Sequence, residues 1–214
     1  MGVGASSGQF TSEELEEYEA VTCLAGSEVI DLHGKFVALG GVKASAGEGA
    51  DDAETGGVPS SAKKVPLSAM LETEELKNNP FGRRLCEVFS TEPAFSPTWG
   101  DLAFDEFVDM YSCLSPRATK EVKMQTAFRM YDFDNNGYLT TEDLEWLLKT
   151  LSTPPPKKGK ERSCLFKPEE INDIVERVMR DCDVDGNHRL SYAEFSKVLS
   201  RIPGFCTKFS IPIS

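Results

Sequence analysis

Two twelve-residue stretches constrain this chain more than anything else in it: DFDNNGYLTTED at 132–143 and DVDGNHRLSYAE at 183–194. Each alternates oxygen-bearing side chains with others, closes on an acid, and lies between segments whose apolar residues recur at helical spacing. Met124, Ala127, Phe128 and Tyr131 form an apolar face before the first stretch; Leu144, Leu147 and Leu148 form one after it. An acidic turn between two helices is the bland alternative. Both flanking helices and a full set of ligand types weigh against it.

The pattern is that of an EF-hand loop, which needs oxygens at positions one, three, five, seven and nine, a closing acid at twelve, and glycine at six for the turn. Counted from Asp132, these are Asp134, Asn136, Tyr138 through its carbonyl, Thr140 and Asp143, with Gly137 at six. In the second stretch a count from Asp181 fails, because Tyr192 would close it. A count from Asp183 succeeds, with Asp185, Asn187, Arg189, Ser191 and Glu194 as ligands. His188 then falls at six, where positive φ costs a histidine more than a glycine. A strained, working loop is expected. Histidine as a ligand is disfavoured because the hard Ca2+ ion takes oxygen. Leu139 and Leu190, at position eight, are expected to pair between the loops.

The closing acids differ. Glu194 reaches in with both oxygens, which suits the large Ca2+ shell; Asp143 is one methylene shorter, and a single-oxygen contact moves the site toward the octahedral preference of Mg2+. The expectation is that 132–143 holds Mg2+ or weakly held Ca2+, and 183–194 Ca2+.

Around these loops the chain reads as all-α and two-lobed, with four EF-hands in two pairs joined by short loop-pairing strands. Residues 1–10 form a mobile start. An N-terminal lobe spans 11–115 and a C-terminal lobe 116–203, followed by an apolar tail at 204–214. Caps are expected at Thr11 or Ser12 and at Ser27, and Pro80 in the first turn of the FGRRLCEVF helix. LAFDEFVDMYS resembles the end of a loop with its exit helix, but Phe95, Pro97 and Trp99 sit where acids should, so this hand is expected to be present and metal-free. The first hand's loop is replaced by a Gly/Ala/acid-rich insertion at 40–64, read as flexible. A Pro/Lys-rich linker at 152–164 divides the last two hands. His33 is placed in a helix near the core edge.

A net charge of −12 argues against a nucleic-acid surface and suits cations or basic helices. No apolar run spans a bilayer, and the start is not a secretory signal. The six cysteines contain no C-x-x-C pair and read as reduced thiols. No nucleophile–base arrangement or phosphate-cradling loop can be read. Met1-Gly2 with Ser6 fits an N-myristoylation signal on Gly2, which alone gives only reversible membrane contact. The apolar faces at Phe128, Leu144, Leu147, Leu148, Val178, Met179, Phe195, Val198 and Leu199 are core first, and become a partner groove when the helices of a hand open. The tail's Phe205, Phe209, Ile211 and Ile213 either pack loosely on the C-terminal lobe or lie in that groove as a displaceable plug.

EEYEAVTCLAGSEVIDLHGKF, ELKNNPFGRRLCEVFSTEP, LAFDEFVDMYS, AFRMYDFDNNGYLTTEDL, LSYAEF and PGFCTKFSI together resemble the calcium- and integrin-binding protein family across most of residues 13–211. Calcineurin B-like proteins share the hands but match the N-terminal half less well. The resemblance implies a non-enzymatic, monomeric Ca2+/Mg2+ sensor and adaptor in the cytoplasm, peripheral at the inner face of the plasma membrane. It implies partners that are amphipathic helices from membrane-protein cytoplasmic tails, notably of integrin α-subunits, or from kinases. The runner-up is a constitutive regulatory subunit of an enzyme or transporter, with structural metal. The 40–64 insertion, the PPPKKGK linker and His188 depart from the family pattern.

Overall fold

Capping chemistry sets the first helix. In the computed structural model, which describes residues 10–42, 63–153 and 164–211, α1 (Ser12–Val21) opens on a capping box: Thr11 Oγ1 accepts from Glu14 N, and Glu14 Oε2 accepts from Thr11 N. Helix α2 (Gly26–Ala38) begins two residues earlier than a Ser27 cap would place it. The reason is local: Glu28 Oε2 accepts from Ala25 N at 2.7 Å, and Glu19 Oε1 accepts from Gly26 N at 2.5 Å, so carboxylates satisfy free N–H groups at this earlier start. Pro80 likewise stands before the helix it was expected to open. Asn79 Oδ1 accepts from Phe81 N, and α4 (Gly82–Phe89) follows. Gly2, residues 43–62 and 154–163, and Ile213 lie outside the described residues.

Helix α3 (Leu67–Leu71) is short, and α5 (Phe104–Leu114) completes the N-terminal lobe. Val65 and Leu102 exchange backbone hydrogen bonds at 2.8 and 2.9 Å, an antiparallel bridge between the first two hands. Below it, Val29, Leu32 and Phe36 of α2 meet Met70, Leu85, Phe107 and Tyr111 in one core. Phe36 packs edge-on to Phe104 and Phe107 at 5.2 and 5.4 Å, geometry worth about 0.5–1.5 kcal/mol per pair beyond the area buried. His33 sits inside this core rather than at its edge, its ring edge-on to Phe10 and Phe104.

The described residues that border the insertion and the linker make specific contacts. Val42 and Lys63 pair antiparallel, and Lys64 bridges to Glu92 at 2.7 Å, so 40–42 and 63–64 belong to the ordered lobe. Ser152 is buried at the end of α7; it accepts from Leu165 N through its carbonyl and meets Cys164 Sγ through Oγ at 2.8 Å.

The C-terminal lobe consists of α6 (Lys120–Tyr131), α7 (Thr141–Ser152), α8 (Pro168–Cys182) and α9 (Tyr192–Leu199). Helix α8 carries Ile171, Val175 and Met179 at four-residue spacing and packs this stripe on α7 and α9. A last short helix, α10 (Phe205–Lys208), follows Gly204, whose φ of 75° turns the chain back. Helix α6 touches both lobes, contacting α4 and α5 as well as α7 and α9. No helix among the described residues is long and apolar enough to cross a membrane.

Candidate metal centre

Asp132 closes α6 and opens the first loop. Its Oδ1 accepts from Asn136 N at 3.0 Å and its Oδ2 from Gly137 N at 2.9 Å. Asp134 Oδ1 accepts from Asn136 N, and Asn136 Oδ1 from Tyr138 N. The second loop repeats this: Asp183 accepts from Gly186 N and His188 N, Asp185 from Asn187 N, and Asn187 from Arg189 N. These side chain to backbone bonds wind each loop inward around its acids.

The turn at position six has a partner at four that the sequence reading did not anticipate. Asn135 and Gly137 have φ of 56° and 84°; Gly186 and His188 have 72° and 61°. Each loop thus needs two left-handed residues and has one glycine. The signal was present in sequence, since asparagine and glycine are the residues that best tolerate that region. His188 takes the strained conformation expected of it. His188→Gly is therefore expected to raise the melting point of the metal-free lobe, by about 0.5–1 kcal/mol of relieved strain. An unchanged or lower melting point in a thermal scan would show that the histidine ring compensates.

The closing acids make parallel contacts despite their different lengths. Asp143 Oδ1 accepts from Phe133 N at 2.9 Å, and its Oδ2 accepts from Thr140 N and Oγ1 at 2.9 and 2.8 Å. Glu194 Oε1 accepts from Val184 N at 2.7 Å, and its Oε2 from Ser191 N and Oγ at 2.9 and 2.7 Å. Each closing acid ties loop position two to position nine and caps its exit helix.

Carboxylate oxygens of Asp132, Asp134 and Asp143 lie within 4.8 Å of one another, as do those of Asp183, Asp185 and Glu194. Burial pushes the Asp132 carboxyl up from its ordinary range, opposed by the Gly137 and Asn136 amides and reinforced by Asp134 and Asp143. Donors from Ser191 and Val184 hold Glu194 down at about 2. Three anions converging at this spacing, with only oxygen presented, fit a hard divalent cation. Thr140 and Ser191 stand at position nine, where they would act through water. Tyr138 and Arg189 offer carbonyls at position seven; their side chains stack across the loops, the guanidinium 3.8 Å from the ring centroid. Leu139 and Leu190 exchange backbone bonds at 2.9 and 2.8 Å, fastening the loops back to back.

Much of the expected groove face is buried in this structure. Phe128, Leu144, Met179 and Phe195 are buried in the C-terminal core; Leu147, Leu148, Val178 and Leu199 are half-buried against it, and Val198 is half-buried. The tail covers part of this seam. Phe205 and Phe209, stacked at 5.4 Å, pack on the C-terminal core, and Phe209 and Ile211 also reach the N-terminal one. Ile211 N donates to Leu114 O at 2.8 Å. Lys123, only 1% exposed, donates to Cys206 O at 3.0 Å and Ser210 Oγ at 2.5 Å. This clasp was not read from sequence, although a lysine at the spacing of Ala127 and Met130 was its signal.

A family model for the EF-hand domain pair matches residues 121–200. Curated relatives named calcium and integrin-binding family member 2 align over nearly the whole chain. The Danio rerio protein is 36% identical over 204 residues, covering 95% of this chain and 96% of its own. The Drosophila melanogaster protein is 33% identical and the Homo sapiens protein 29%, each with the same coverage. Helices, paired acidic loops and full-length similarity agree: this chain is an EF-hand protein that belongs to the calcium and integrin-binding family.

Proposed function

We propose that this protein is a Ca2+- and Mg2+-binding adaptor, not a catalyst, that takes up an amphipathic helix from a membrane-protein cytoplasmic tail of the integrin-α type, or from a kinase. The carrying observation is the placement of two acid-lined loops, fastened by Leu139 and Leu190, directly on the apolar core that Phe205 and Phe209 cover. Loop 183–194 takes Ca2+ and loop 132–143 takes Mg2+ or holds Ca2+ weakly. Cation entry shifts the exit helices, and a target helix competes with the tail for the seam. Such a protein works as a monomer in the cytoplasm, with reversible contact at the inner face of the plasma membrane.

One observation favours a constitutive subunit instead: both loops are already wound by their own hydrogen bonds, which suits structural metal. Titrating an integrin α-tail peptide into three proteins separates the readings. These are the full chain, the chain ending at Pro203, and Lys123→Met, each with and without Ca2+. Truncation and Lys123→Met are expected to tighten binding about tenfold, as removing an internal competitor frees the binding-competent state. Equal affinities would remove the plug, and no Ca2+ dependence in any of the three would favour the constitutive subunit. No peptide binding at all would overturn the adaptor reading.

A further inference from the structure

Arg84 reaches from the N-terminal lobe into the first acidic loop. It occupies α4 on the stripe Phe81, Leu85 and Val88, where helical spacing calls for an apolar side chain, and it is only 7% exposed. Its Nε donates to Met130 O at 3.2 Å. Its Nη2 donates to Arg129 O at 3.1 Å, to Asp132 O, and to Asn135 Oδ1 at 3.1 Å. The guanidinium carbon also lies 5.4 Å from the centroid of the Phe133 ring. The group therefore touches loop positions one, two and four, besides the last carbonyls of α6.

The acceptors explain the burial. A cation at a helix C-terminus is favoured by the macrodipole, and the rigid guanidinium fork serves several carbonyls at once. All four acceptors are neutral, so the loop's carboxylates stay turned inward. Phe133, under the guanidinium, is also the residue whose N–H binds Asp143 Oδ1, so the contact extends to the closing acid. The hydrogen bonds that wind the second loop come from within 183–194.

We propose that Arg84 is a positioning residue for the 132–143 cation site, fixing the loop's entry from the N-terminal lobe and so coupling its occupancy to the contact between lobes. This rests on the cation-loop reading above. The fork acts against its own charge, which lies near Asp132 and Asp143 and alone would repel a divalent ion; the inference is that positioning outweighs repulsion.

The test uses the full chain as wild type, Arg84→Lys, Arg84→Met and Asn135→Gly, titrated with Ca2+ and Mg2+ while the Gly137 and His188 amide resonances report each loop separately. Asn135→Gly removes one acceptor, leaves α4 intact, and introduces the residue that the second loop carries at position four. It keeps the test decisive if the arginine variants fail to fold. Loss of the fork is expected to weaken binding at Gly137 about tenfold, as for supporting residues around other metal sites. Asn135→Gly should weaken it a few-fold, and His188 should stay within about twofold in every variant. Lysine should not rescue, since it keeps the charge and loses the fork. In wild type, cation should also slow amide exchange in α4, and Arg84→Lys should abolish that slowing. Parallel weakening at both reporters, tighter binding at Gly137, or no change would overturn the role. Absence of any cation response at Gly137 in wild type would overturn the cation-loop reading beneath it as well.

Discussion

Glu194→Gln is expected to weaken Ca2+ binding at 183–194 by roughly a hundredfold while leaving the fold intact. Glutamine keeps the length and one carbonyl acceptor for Val184 N or for the Ser191 donors, but removes the charge that faces the cation. Losing one unit charge about 4 Å from a divalent ion at an effective dielectric near 20 forfeits about 8 kcal/mol of gross attraction; the desolvation avoided and the amide oxygen retained offset most of it, and the roughly 3 kcal/mol left is a hundredfold, since each 1.4 kcal/mol is tenfold in affinity. The same carboxylate also stabilises the metal-free protein. Its folded pKa of about 2 lies below the ordinary 4.5, so the charged form favours folding. That contribution is complete above about pH 4.5 and is lost as pH falls toward 2. Metal-free wild type should therefore be more stable than Glu194→Gln at pH 7, and the gap should close in acid. A gap that persisted at pH 2 would assign the stabilisation to shape rather than charge.

Leu139→Ala is expected to be the most damaging single truncation in the C-terminal lobe. Leu139 is fully buried among Ala127, Phe128, Leu144, Val175 and Leu190, so its loss leaves a cavity worth about 2–5 kcal/mol. The effect should reach both loops, because the backbone bridge to Leu190 rests on this side chain. Denaturant unfolding of the metal-free protein should show the loss, and Ca2+ titration should show both affinities falling together. Val184→Ala, at a position 71% exposed, is the control and should shift stability by no more than about 0.5 kcal/mol. If the control matched Leu139→Ala, the loop pair would not be the keystone of the lobe.

What the sequence could show was chemistry with a fixed local spacing. The two clusters of acids, the leucine pair and the strained His188 all follow from counting twelve residues, because the loop closes on itself. Contacts between distant segments were not legible in that way. Arg84 and Lys123 lie 48 and 87 residues from their partners Asp132 and Ser210, and only a charged residue on an apolar stripe hinted at either. Contacts at the ends of the compositionally biased segments were hidden for a related reason. Composition marks 40–64 as unstructured, yet Val42 and Lys63, near its two ends, pair with each other. The groove residues show a third limit: periodicity identifies an apolar face but not whether core, tail or partner covers it.

The most direct measurement is a calorimetric titration of Ca2+ into metal-free protein, repeated in millimolar-level Mg2+. Two binding events are predicted, the weaker suppressed by Mg2+ at 132–143 and the stronger surviving at 183–194. Absence of binding heat under both conditions would contradict the account, leaving the two loops as acidic turns held by their own hydrogen bonds.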